Sequence, residues 1–113
     1  MSDTINSEIK FDVTLDDKNR PIDMKWSAEG SGVEGNKPCN AFIISVWDHL
    51  NDTSMRLDLW TDKMTVEEMH QFYYETFVTM ADTFALATNN EEMAEDIRDY
   101  AKTFGEKVGL ISS

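Results

Sequence analysis

Along residues 8–15, EIKFDVTL, the apolar Ile9, Phe11, Val13 and Leu15 alternate with polar neighbours, the period of a strand that buries one face. After the polar turn DDKNRP the alternation resumes over residues 22–28, IDMKWSA, with Ile22, Met24, Trp26 and Ala28 as the apolar set. A hairpin with Leu15 opposite Ile22 sets Val13 against Met24 and Phe11 against Trp26, so that every apolar side chain shares one face. The following EGSGVEGNKP holds three glycines and a proline among few apolar groups and reads as a mobile loop.

Residues 39–49, CNAFIISVWDH, are apolar on both parities at their centre, as in an interior strand. LNDT makes a turn, and residues 54–61, SMRLDLWT, form a fourth strand with Met55, Leu57 and Leu59 on one parity. With Asn51 and Asp52 at the tip, Val46 falls opposite Leu57 and Ile44 opposite Leu59, all facing the core. The same register puts Ile43, Trp47 and Trp60 on the outer face with Ser45, Arg56 and Asp58, and sets Trp47 opposite Arg56.

From Thr65 the period lengthens to three or four residues: Met69, Phe72, Tyr73, Thr76, Met80, Phe84 and Ala87 mark a helix over about 65–88. After TNN, a second helix over about 90–108 carries Met93, Ile97, Tyr100, Ala101, Phe104 and Val108, and Gly109 can end it. The expected fold is α+β: a four-stranded antiparallel sheet, a meander of two hairpins, followed by two helices packed on one face. One domain spanning residues 1–113 is expected, because that length suffices for a core without staples.

Charge narrows the partners. The 22 acidic residues outnumber the 10 basic ones, and the resulting net charge of −12 repels phosphate backbones and anionic lipid surfaces. No stretch approaches the run of about 20 apolar residues that spans a bilayer, and MSDTINSEIK has no signal-like pattern, so a soluble, cytoplasmic protein is expected. The single Cys39 cannot form an internal disulfide.

Candidate chemistry is sparse. Glu67 and His70 have the Glu-x-x-His spacing of di-iron carboxylate helices, but those sites need a second such pair on a facing helix, and the other histidine, His49, stands at a strand end. Thr65-Val-Glu-Glu68 is a capping box, which gives both acids a structural reason to be there. Asp48, His49, Asp52 and Asp58 gather acid and imidazole, yet a solvated turn and an Arg56 to Asp58 pairing account for them. Cys39 has only Lys37 near enough to activate it and reads as a small buried hydrophobe. Met24, Met55, Met64, Met69, Met80 and Met93 could line an adaptable groove, but most lie on core parities and read as core filling. No phosphate loop, dinucleotide turn or HExxH occurs, so neither a catalytic nor a metal or cofactor site is expected. The outer Trp47 and Trp60, with Ile43, Arg56 and Asp58, form the candidate interaction face, for a protein partner or a second copy of the chain; the alternative is that Arg56 stacks on Trp47 and a terminal segment or the long loop covers Trp60.

The segments SVWDH (45–49), RLDLWT (56–61), MTVEEM (64–69), TMADTF (79–84) and MAEDIRDYAKTFGEK (93–107), with the EIKF start, together resemble the GldC family of bacterial gliding motility. The resemblance implies a cytoplasmic accessory of the gliding or envelope machinery, in a family whose genes are associated with that of the lipoprotein GldB. It implies no known catalytic activity and no known cofactor, and it assigns no functional residues. A small acidic chaperone-like module for secreted or surface proteins is the alternative, suggested by size, charge and methionine content.

Overall fold

A computed structural model describes residues 4–30 and 33–112, with only the backbone of residues 33 and 34. The two alternating segments form β1 (Ile9–Leu15) and β2 (Pro21–Ala28), antiparallel, with Val13 opposite Met24 and Phe11 opposite Trp26 as the pattern predicts. Leu15 pairs with Pro21 instead of Ile22, because the register shifts between Thr14 and Leu15. The turn is held by Asp16: its carboxylate accepts from the backbone N–H of Lys18 and of Arg20 and from Arg20 Nε, while Asn19 takes a φ of 62°.

The expected mobile loop is corrected. Residues Val33–Cys39 form a further strand, β3, paired antiparallel with β2 through Met24 to Cys39, Lys25 to Pro38 and Trp26 to Lys37. Ser31 and Gly32 of that predicted loop lie outside the described residues. Glycine and proline, which suggested a loop, are tolerated for separate reasons. Pro38 sits on the edge strand of the order β1-β2-β3, where a missing N–H costs least. Gly35, at φ 69°, sits where the β2–β3 register shifts, as a bulge requires.

A second sheet holds β4 (Ala41–Asp48) and β5 (Thr53–Trp60). The fold is therefore α+β with five strands in sheets of three and two, not one four-stranded sheet. The β4–β5 register also differs from expectation by two residues: Ile44 faces Leu57, Val46 faces Met55, and Phe42 faces Leu59. The turn starts earlier than predicted because Asp48 captures it, accepting from the Leu50 N–H and from Asn51 Nδ2, with Asp52 at φ 51°. A slip of two preserves parity, so each residue keeps its face. Burial along the inner face is uneven: Phe42 is buried and stacks on Phe11 at 4.8 Å, joining the two sheets, whereas Val46 and Leu57, expected in the core, are at least half exposed. At the corner between sheets, the buried Thr61 donates its N–H to the Asn40 carbonyl.

The chain divides between Met64 and Thr65 into two compact units, the second a helical hairpin. Its first helix, α1 (Val66–Thr88), starts with the predicted capping box: Thr65 Oγ1 accepts from the Glu68 N–H, and Glu68 accepts from the Thr65 N–H. The second, α2 (Glu91–Lys107), is capped by Asn90 and followed by Gly109 at φ 85°. Small buried residues, Ala81 on α1 and Ala94, Ala101 and Gly105 on α2, let the helices approach, and Phe77 packs edge-on against Tyr100 and Phe104. The stripe facing α2 thus runs through Phe77 and Ala81, one position round from the predicted Met80, which is exposed. No described helix is long and apolar enough to cross a membrane.

Candidate functional site

The β4–β5 sheet alternates by construction, so the side opposite Phe42, Ile44 and Leu59 carries Ile43, Ser45 and Trp47 from β4 and Ser54, Arg56, Asp58 and Trp60 from β5. The five predicted interaction residues do share this face. Trp47 is 62% exposed and Trp60 57%, Ile43 is half-buried, and Arg56 Nε donates to Asp58 Oδ1 at 2.9 Å. Two large indoles stand in water on one small sheet, alongside other exposed apolar side chains of this unit such as Ile9, Leu50 and Met55.

The register separates the two indoles. Trp47 is opposite Ser54, not Arg56 as predicted, and Trp60 is opposite Ala41. Six residues of strand at about 3.3 Å each place them about 20 Å apart, at opposite ends of the face. Arg56 is opposite Ser45, within diagonal reach of Trp47, and its guanidinium is turned to Asp58.

At the Trp60 end of β5 a cleft of about 520 Å³ lies between the β1–β2 turn and the strand end, lined from both faces of β5. Asp16, Arg20, Pro21 and Ile22 line one wall, and Asp58, Leu59, Trp60 and Asp62 the other. The Arg20 and Lys18 amides and the Arg20 guanidinium hold the Asp16 carboxyl below the usual carboxylate range, so it stays charged. Of the residues lining the cleft, sequence reasoning named Trp60 and Asp58 but not Asp16 and Arg20, because the two walls are brought together only by the sheets. The local signal that existed was the Asp16 to Arg20 spacing inside a turn.

The other candidates scatter. Asp48 is engaged in its turn, where the Asn51 side chain and the Leu50 amide hold its carboxyl low, and His49 is exposed beside it. Glu67 is exposed and His70 half-buried on α1. Among the described residues, no three His, Cys, Asp or Glu side chains are grouped to hold a metal ion. Cys39 is half-buried on β3, and burial, with the nearby Asp23 charge, pushes its thiol up, away from reactivity. Core filling describes Met24, which is buried, but Met55, Met80 and Met93 are about half exposed.

Fold and face together define a small acidic α+β protein that presents tryptophan to its surroundings on a two-stranded sheet. Residues 21–110 match the sequence model of the GldC-like family, gliding motility-associated proteins, and the chain belongs to that family. No curated protein and no solved structure matches it.

Proposed function

We propose that this chain is a non-enzymatic accessory of bacterial gliding motility that works in the cytoplasm by binding a protein partner through the outer face of β4–β5. The observation that carries the reading is the exposure of Trp47 and Trp60 on that face. Indole is the side chain most often found to anchor interfaces, since it buries a large area and freezes few rotors. Family membership supplies the process, and the net charge of −12 favours a basic protein surface over nucleic acid or anionic lipid. The test is colony spreading by a gliding bacterium whose own copy carries Trp47→Ala, Trp60→Ala or both. Spreading is expected to fall while immunoblots show unchanged protein. Normal spreading by the double variant overturns the reading.

The absence of catalysis is part of the proposal. Purified protein is expected to carry no stoichiometric metal, and His70→Ala to leave the melting temperature within about 1–2 °C of the parent. A bound metal lost in His70→Ala would restore the enzyme reading.

The exposure of Met55, Met80 and Met93 favours a second reading, a chaperone-like module, because thioethers adapt to varied apolar clients. An unfolded client protein should then raise the melting temperature through linkage, and a titration without any rise removes this reading.

A further inference from the structure

The two ends of the tryptophan face differ, and the difference bears on what it binds. Trp47 stands 62% exposed beside the β4–β5 turn, whereas Trp60 forms part of a cleft whose volume of about 520 Å³ falls within the usual range for binding pockets. Three carboxylates line it against one guanidinium. Two of the three are already engaged: Asp16 with Arg20 at 2.9 Å and Asp58 with Arg56 at 2.9 Å. Asp62 is exposed and, among the described residues, has no hydrogen-bond or ion-pair partner. The cleft therefore combines an open indole with one uncompensated negative charge.

We propose that this cleft takes an arginine or lysine side chain from a basic segment of a partner protein, stacked on the Trp60 indole and paired with Asp62. The proposal rests on the protein-binding role proposed above and names the chemistry of its partner. A cation over an indole is attracted by the ring's negative face, and a carboxylate beside the ring completes the recognition. An apolar guest would bury the Asp62 charge without compensation, and an acidic one would meet three carboxylates. A second copy of this chain is the poorer occupant, because both molecules would bring a net charge of −12 to the interface.

The full chain is titrated with an acetylated, amidated Gly-Arg-Gly-Arg-Gly peptide, with the Gly-Glu-Gly-Glu-Gly peptide as control. The indole N–H signals of Trp26, Trp47 and Trp60 are followed by NMR. The arginine peptide is expected to move the Trp60 signal saturably and leave Trp47 in place, and the glutamate peptide to move neither. Asp62→Asn, at an exposed position where folding is not at stake, should weaken binding about two- to fivefold, and Trp60→Ala should weaken it further. Equal movement of Trp47 and Trp60, or unchanged affinity in Asp62→Asn, reduces the effect to diffuse attraction and overturns the proposal. If the titration fails while Trp60→Ala cells spread poorly, the cationic guest is wrong and the protein-binding role stands. Normal spreading by the double tryptophan variant removes the role even where the peptide binds.

Discussion

Single side chains decide the ends of the elements, and two of them make sharp tests. Thr65 and Glu68 satisfy each other's backbone amides at the start of α1 at 3.0 Å in both directions, so Thr65→Ala leaves an amide at the helix start without its acceptor. A lower denaturation midpoint is expected, corresponding to a loss of about 1 kcal/mol. Gly105 sets two effects against each other. Alanine is favoured over glycine inside a helix by about 1 kcal/mol, but a Cβ at this position would stand 2.7 Å from Ile111 Cδ1 and 2.9 Å from the Tyr74 ring. The isoleucine tip can move aside, but the ring carbon has less freedom, and overpacking of this kind costs about 1–3 kcal/mol. Gly105→Ala is therefore expected to destabilise the hairpin despite its better propensity, and adding Ile111→Ala should make the Gly105 substitution less costly than it is alone. A stabilised Gly105→Ala would show that the hairpin is loosely packed there.

The elements show how far local pattern reaches. Period-two alternation was enough for β1 and β2 and three- to four-residue spacing for both helices, because each of those signals is repeated several times within one segment. β3 was illegible since Gly35 and Pro38 are loop formers by local chemistry, and only the edge position and the bulge make them acceptable in a strand. The β4–β5 register slipped by two residues because apolar alternation fixes parity alone, whereas the Asp48 side chain fixes the turn. The tryptophan face survived that error, but the cleft did not appear in the sequence at all, since Asp16 and Asp62 meet only through the sheets. Asp48 also gives the turn a pH dependence. Its folded pKa lies below the ordinary aspartate value of 3.8, so its contribution is present above that value and is lost as the pH falls through the lower folded one. The melting temperature of Asp48→Ala should lie below that of the parent at neutral pH, and the gap should narrow as the pH falls below the ordinary aspartate value of 3.8. A gap that is constant with pH would mean that the turn is held by shape alone.

At the scale of the whole molecule, attraction and repulsion between charges respond to salt in opposite ways, and their balance can be read. Arg98 on α2 draws together Asp82 at 2.9 Å, Glu91 at 2.6 Å and Glu95 at 3.3 Å, and these acids raise its pKa, so it remains a cation at any pH where the chain folds. It links α2 to α1 through Asp82, using Nε and one terminal nitrogen, with the other on Glu91 and Glu95. A lysine offers one point charge in place of that fork, so Arg98→Lys should recover little of what Arg98→Met loses in melting temperature. Against this local attraction stands the repulsion of 22 acidic by only 10 basic residues. Raising ionic strength from about 10 mM to about 150 mM shortens the screening length from about 30 Å to about 8 Å. That removes most repulsion between distant carboxylates but leaves contacts near 3 Å largely in place, so the melting temperature of the parent is expected to rise with salt. It should rise more steeply in Arg98→Met, where three carboxylates lose their common cation. A parent that melts lower as salt is added would mean that short ion pairs outweigh the net charge of −12 in holding the fold.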